Sequence, residues 1–170
     1  LAETYEEAMK IIESYRYNLL GIISDVRFPK GGFLNKVAGF ELAQQVKGMI
    51  NDLPFLLQSE DEENEKIALV RKIDFLSKTS PSLLHNLRSY ILESYGFGPF
   101  VFKYPDGRVI EEANDITTLE KIVRDLPEES LQYHAANNDF SRWFRARAEF
   151  EVAEKLRLLD AAKIDSASDM

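Results

Sequence analysis

The stretch Leu19-Leu20-Gly21-Ile22-Ile23-Ser24-Asp25-Val26-Arg27-Phe28-Pro29 decides the fold of this chain, because an apolar run ends there at a carboxylate. A short run that is apolar throughout is typical of a strand buried on both faces of a parallel sheet. In open α/β sheets, ligands bind where strands end and loops begin. Asp25 is therefore a candidate site residue, although aspartate also initiates turns through its own side chain.

Two further apolar runs follow, and helical patterns separate all three. The run from Pro54 to Gln58 ends at Ser59, and the run from Ile73 to Ser77 ends at Lys78. Alternating helices and strands are typical of a parallel sheet covered by helices, so we expect an α/β fold. The predicted helices cover about residues 3–17 and 39–50, and a later one begins at Ser80 or Ser82.

The Gly96-Phe97-Gly98-Pro99 stretch predicts a domain boundary. We expect one domain at residues 1–95, a small, mostly helical α+β domain at 96–158, and a tail at 159–170. In the second domain, Pro105-Asp106-Gly107 lies between two apolar runs and predicts a β-hairpin. Helical patterns follow at about residues 117–124, 128–135 and 140–158.

Composition excludes several classes of function. The chain has 170 residues and a formal net charge of −8, which disfavours binding to nucleic acid. It has no cysteine and only two histidines, His85 and His134, which excludes disulfides, thiolate catalysis and a histidine-rich metal cage. No apolar run reaches about 20 residues and no signal peptide is visible, so we expect a cytoplasmic protein without a membrane span.

A carboxylate, a hydroxyl group and an ammonium group lie at the ends of the three predicted strands. Asp25, Ser59 and Lys78 each follow an apolar run, and the carboxyl ends of parallel strands lie at one edge of a sheet. A carboxylate nucleophile, a hydroxyl donor and a compact cation are suited to accepting a phosphoryl group and holding its charge. No second catalytic acid or base accompanies them, so this fragment is not expected to be an enzyme by itself.

From Ala2 to Tyr95 the chain resembles the receiver domain of two-component response regulators. The matching stretches are Gly21-Ile22-Ile23-Ser24-Asp25-Val26-Arg27-Phe28-Pro29, Gly39-Phe40-Glu41-Leu42, Leu53-Pro54-Phe55-Leu56-Leu57-Gln58-Ser59 and Ile73-Asp74-Phe75-Leu76-Ser77-Lys78. The resemblance implies a flavodoxin-like, three-layer fold that lacks its first strands. It also implies that Asp25 is the phosphoacceptor, that Ser59 and Lys78 contact the phosphoryl group, and that Phe75 is a switch aromatic, with core packing as its alternative role.

The resemblance also implies a cation and partners. Asp25 and the main-chain carbonyl of Arg27 would hold Mg²⁺, but the acidic pair that a receiver brings from its first strand is not in this sequence, so the site is incomplete in this chain. A histidine kinase or a small phosphodonor would supply the phosphoryl group. Without a first strand, residues 19–24 form an unpaired edge, so we expect an incomplete chain, a homodimer or a strand-completing partner.

The second domain is similar to a region beside receiver-like domains in phosphoenolpyruvate synthase-like proteins. The similarity rests on residues 134–147 and 150–153, and it implies a regulatory piece of a multidomain phosphotransferase whose other domains are its partners. We expect His134 at a cap or turn and Asp139 as the cap of the final helix. The spacing of Arg145 with Glu149, and of Arg147 with Glu151, predicts ion pairs on a solvated helix face.

Two functions remain open from the sequence. In the first, the chain is the signal receiver of a phosphorelay or of a phosphoenolpyruvate synthase-like protein and accepts a phosphoryl group on Asp25. In the second, it is a degenerate receiver that is never phosphorylated and serves protein–protein assembly. Asp25, Ser59 and Lys78 would then form only a hydrogen-bonded, ion-paired cluster.

Overall fold

The computed structural model describes residues 1–157, which divide into two compact units. The first unit runs from Leu1 to Tyr90, and the second begins at Ile91. The division falls inside a helix, whereas the sequence places the domain boundary between residues 95 and 96. The predicted tail at 159–170 lies outside the described residues.

The first unit is mixed α/β, as the sequence predicts, and is built on a three-stranded parallel sheet. Its sheet has the order β1-β4-β5, so β1 is an edge strand. The elements in chain order are α1 Tyr5–Tyr15, β1 Ile22–Asp25, β2 Phe28–Lys30, β3 Phe33–Asn35, α2 Ala38–Met49, β4 Phe55–Ser59, α3 Glu63–Arg71, β5 Asp74–Ser77 and α4 Leu83–Ser94, the last of which crosses the division.

The local sequence determines where helix α1 begins and which of its residues are buried. The hydroxyl of Thr4 accepts a hydrogen bond from the amide of Glu7 and so caps the first turn. The helix buries Tyr5, Met9 and Ile12, while Tyr15 is exposed. The core of this unit is formed by Tyr5, Met9, Ile12, Val26, Ala38, Phe40, Leu42, Ala43, Val46, Ile50, Leu53, Phe55, Leu57, Ala68 and Ile73.

A small hairpin lies between the first strand and helix α2. Strands β2 and β3 pair antiparallel, with Phe28 opposite Asn35. Gly31 and Gly32 form the turn with positive φ angles of 61° and 81°, a conformation that glycine adopts without steric cost.

The second unit has the predicted hairpin followed by four short helices in the described part of the chain. Strands β6 Phe100–Lys103 and β7 Val109–Ala113 pair antiparallel, which confirms the hairpin. The helices are α5 Ile116–Arg124, α6 Glu128–Ala136, α7 Asp139–Ala146 and α8 Phe150–Arg157. A single helix over residues 140–158 is wrong, because the chain turns at Ala148, whose φ is 62°.

The two arginines predicted on a solvated helix face have other partners. Arg145 is buried, and its Nη2 lies 3.9 Å from Glu154 Oε2. Arg147 donates to main-chain carbonyl oxygens and lies over the ring of Trp143. Because the helix ends before Glu149, neither predicted i,i+4 pair forms.

Buried His134 pairs with the partly buried Asp139, which corrects both of their predicted roles. His134 is 1% exposed and lies among the rings of Phe100, Phe102 and Phe140. Its Nε2 accepts a hydrogen bond from the amide of Lys103 at 3.0 Å, so the proton lies on Nδ1, 2.7 Å from Asp139 Oδ2. Asp139 thus binds an imidazole, while Asn138 occupies the N-cap position of α7.

Candidate functional site

Asp25 and Lys78 form a direct ion pair at the carboxyl edge of the parallel sheet. Lys78 Nζ lies 2.5 Å from Asp25 Oδ1. Asp25 ends β1 and Lys78 follows β5, so the two outer strands of the sheet each contribute one member. The side chains are 51% and 33% exposed, respectively, which leaves the carboxylate within reach of a molecule in solution.

Ser59 ends the middle strand and is joined to the pair through the backbone. The amide of Lys78 donates a hydrogen bond to the Ser59 carbonyl oxygen at 2.8 Å. The Ser59 hydroxyl oxygen accepts from the amide of Asp61 at 3.1 Å and from Nδ2 of Asn64 at 2.9 Å. The structure therefore places Asp25, Ser59 and Lys78 at one edge of the sheet.

Gly39 sets the distance between helix α2 and the end of β1. Its amide donates to the carbonyl oxygen of Val26 at 2.9 Å. A Cβ atom at this position would lie 2.3 Å from the carbonyl oxygen of Asp25, a separation that real Cβ atoms do not show. Sequence reasoning did not identify Gly39 or Asn64 as site residues; for Gly39 the available signal was a glycine at the start of a predicted helix.

Phe75 and Arg27 lie near the site in different environments. Phe75 is on β5 opposite Leu57 of β4 and is partly buried against the hydrophobic core, as its alternative role as a packing residue requires. Arg27 lies between β1 and β2 and is exposed. Their roles as switch and as carbonyl ligand stay predictions.

The described residues do not fit a Mg²⁺ site by themselves. Magnesium requires near-octahedral coordination by hard oxygen ligands. Among residues 1–157, no group of three or more His, Cys, Asp or Glu side chains is placed to hold a metal ion. Asp25 and the carbonyl of Arg27 are too few, and one Asp25 oxygen already contacts Lys78. We assign no chemical step to a metal.

The arrangement offers an accessible nucleophile beside a fixed positive charge. Asp25 presents a carboxylate that is half exposed, and the Lys78 ammonium group lies against it. Such a pair can add the carboxylate to an electrophilic centre and offset negative charge that develops there.

Within residues 1–157, no helix has the length and apolar character that crossing a membrane requires. Comparison with family models, curated proteins and solved structures gave no match.

Proposed function

We propose that the first unit is a receiver-like regulatory module with a flavodoxin-like arrangement, in which Asp25 accepts a phosphoryl group. The observation that supports this most strongly is the 2.5 Å contact between Lys78 Nζ and Asp25 Oδ1 at the carboxyl edge of a parallel sheet. The module would serve a cytoplasmic phosphorelay or a phosphoenolpyruvate synthase-like phosphotransferase. A histidine kinase or a small phosphodonor would supply the phosphoryl group.

The proposed step is a substitution at phosphorus. A carboxylate oxygen of Asp25 attacks the phosphorus of a donor such as acetyl phosphate, the bond from phosphorus to the acetyl oxygen breaks, and acetate leaves with its electron pair. Asp25 then carries an acyl phosphate. The ammonium group of Lys78 offsets the charge on the phosphoryl oxygens, since phosphoryl transfer depends on positioning and electrostatic stabilisation.

Mass spectrometry of the full chain after incubation with acetyl phosphate tests the proposal. We expect the mass of one phosphoryl group to be added to the wild-type chain, in buffer with Mg²⁺, and none to be added to Asp25→Asn. Asp74→Asn is the matched control, because Asp74 begins β5 at the opposite end of the same sheet and its carboxylate accepts from the Tyr90 hydroxyl. Uptake by Asp25→Asn, or none by the wild type, would refute the proposal.

A second candidate function is assembly with another copy of this chain, and the exposed edge of the sheet favours it. Strand β1 pairs with β4 on one side only in the described unit, and Ile23 is 42% exposed. A groove of about 790 Å³ lies beside the strand and is lined by apolar side chains that include Ile12, Leu19 and Phe28. Free edge strands recruit other strands through their unpaired backbone groups.

Sedimentation of the full chain distinguishes this second candidate. If a second copy covers the edge, the wild type sediments as a dimer and Ile23→Lys as a monomer. Val70→Lys is the control, because Val70 is an exposed apolar residue on α3, away from the groove. A wild-type chain that stays monomeric over the whole concentration range excludes self-assembly.

A further inference from the structure

The hydroxyl oxygen of Ser59 accepts two hydrogen bonds, and these leave the hydroxyl proton available to donate. A serine oxygen has two lone pairs and one proton. Its two lone pairs accept from the amide of Asp61 and from Nδ2 of Asn64. Within the described part of the chain, the Ser59 hydroxyl donates to no protein atom. The remaining proton is therefore available on the side of the oxygen away from these two donors.

We propose that Asn64 is a positioning residue that aims the Ser59 hydroxyl proton at the phosphoryl oxygens formed on Asp25. The inference rests on the proposed function and extends it to a residue outside the three strand ends. Asn64 lies in the first turn of α3 and reaches back to Ser59, five residues earlier. Its amide nitrogen has no lone pair to accept a hydrogen bond, so it cannot draw the Ser59 proton toward itself.

The loop between Ser59 and Asn64 is braced so that both donors stay in place. Asp61 Oδ1 accepts a hydrogen bond from the amide of Glu63 at 3.0 Å, while the amide of Asp61 itself donates to Ser59. The Asp61 amide and the Asn64 side chain thus both donate to the Ser59 hydroxyl oxygen. A donor fixed in this way needs no reorientation when negative charge develops near it.

A comparison of four single variants tests the inference through the rate of phosphoryl uptake from acetyl phosphate. Ser59→Ala should lower the rate by about tenfold or more, as expected for loss of a hydrogen bond to a charged group. Asn64→Ala should lower it by roughly two- to tenfold, because the proton is no longer aimed. Asn86→Ala is the matched control. Asn86 of α4 donates through Nδ2 to Ser82 Oγ at 3.1 Å, just before the helix begins, and loss of this hydrogen bond should leave the rate unchanged.

Asn64→Asp gives the discriminating result. A carboxylate at this position accepts the Ser59 proton and turns it away from Asp25, so the rate should fall below that of Asn64→Ala. If Asn64 only supported the loop, the near-isosteric aspartate would be the milder change. In the Ser59→Ala background the excess loss caused by Asn64→Asp should disappear, which separates the direction of the proton from the added charge. An Asn64→Asp rate at or above that of Asn64→Ala overturns the inference.

Nuclear magnetic resonance of the Asn64 carboxamide tests the Asn64–Ser59 contact without phosphoryl transfer. Its N–H resonances should shift in Ser59→Ala and stay in place in Ser82→Ala. Unshifted resonances in Ser59→Ala overturn the inference even where the wild type takes up phosphoryl groups. Shifted resonances in a chain that takes up none overturn the proposed function instead, so the two failures are distinguishable.

Discussion

The amide of Gly39 donates a hydrogen bond to the carbonyl oxygen of Val26 at 2.9 Å, which brings the start of α2 against the end of β1. The space at Gly39 is closed by the backbone of residues 25 and 26 and by the side chain of Leu57. An added Cβ would lie 2.3 Å from the Asp25 carbonyl oxygen and 2.8 Å from the Cα of Val26. Since these backbone atoms belong to Asp25 and to the residue that follows it, the position of Asp25 depends on the absence of a side chain at Gly39.

Gly39→Ala should therefore destabilise the first unit by about 1–3 kcal/mol, as overpacking of a close contact does. Urea unfolding followed by circular dichroism measures the change. Gly48→Ala is the control on the same helix, because an added Cβ there meets nothing within 4 Å. It should stabilise by up to about 1 kcal/mol through helix propensity. Equal changes in the free energy of unfolding in the two variants would contradict the close approach of Gly39 to the Asp25 carbonyl oxygen.

Arg147 holds the loop before β6 through hydrogen bonds that lysine cannot reproduce. Its Nη1 donates to the Gly96 carbonyl oxygen at 2.9 Å, its Nη2 donates to the Gly98 carbonyl oxygen at 3.1 Å, and its guanidinium carbon lies 3.4 Å from the centroid of the Trp143 ring. Arg147→Lys should destabilise the second unit by about 1–3 kcal/mol, because the planar fork of donors and its stacking are lost.

Arg124→Lys is the comparison for Arg147→Lys. Arg124 is exposed and pairs with Glu120 one turn away, so the same substitution should change the free energy of unfolding by less than about 0.5 kcal/mol. Thermal unfolding followed by the fluorescence of Trp143, the single tryptophan of the chain, reports on this region directly. Similar shifts in the two variants would show that the contacts of Arg147 contribute no more than a surface ion pair.

Local patterns in the sequence were sufficient to predict the strand ends and the hairpin. The apolar runs that end at Asp25 and Ser59 are strands. Phe55, Leu56 and Leu57 of the middle strand β4 are buried, as a continuous apolar run predicts, whereas the edge strand β1 leaves Ile23 exposed. The turn at Pro105-Asp106-Gly107 was predictable because its residues favour it chemically. Two of the candidate site residues, Asp25 and Lys78, meet because parallel strands end at a common edge.

Features that depend on distant contacts were not predictable in the same way. The helix break at Ala148 requires a positive φ in a non-glycine residue and follows Arg147, whose partner Gly96 is 51 residues away. The burial of His134 depends on an amide 31 residues earlier, at Lys103. Periodicity reports none of these contacts, because they belong to tertiary structure.

Two buried serines in the second unit should respond to alanine with opposite signs. Ser141 is 1% exposed and its hydroxyl has no hydrogen-bond partner among residues 1–157, whereas the Ser130 hydroxyl donates to the Lys103 carbonyl oxygen at 2.9 Å. Ser141→Ala should raise the free energy of unfolding by about 1 kcal/mol, since an unpaired polar group is removed. Ser130→Ala should lower it by about 1 kcal/mol. Urea unfolding measures both, and a destabilising Ser141→Ala would show that its hydroxyl has a partner.

The ionised carboxylate of Asp139 should make the second unit sensitive to acid. Burial would raise the pKa of Asp139, but the hydrogen bond from His134 and the positive charge of Arg142 outweigh it and hold the pKa below its ordinary value. A carboxyl group with a lowered folded-state pKa contributes stability that is present above its unfolded pKa of about 3.9 and is lost as the pH falls through the folded pKa.

Asp139→Asn should therefore reduce the loss of folding stability that the second unit shows at acid pH. Urea unfolding between pH 7 and pH 3 should show the wild type losing stability below about pH 4, with a smaller loss in Asp139→Asn, whose side-chain oxygen still accepts from His134 Nδ1. Glu112→Gln removes an exposed carboxylate from β7 and is the matched control. A profile for Asp139→Asn as steep as that of the wild type would mean that Asp139 has no lowered pKa. The pair with His134 would then contribute the same stability whether or not the carboxyl group is charged.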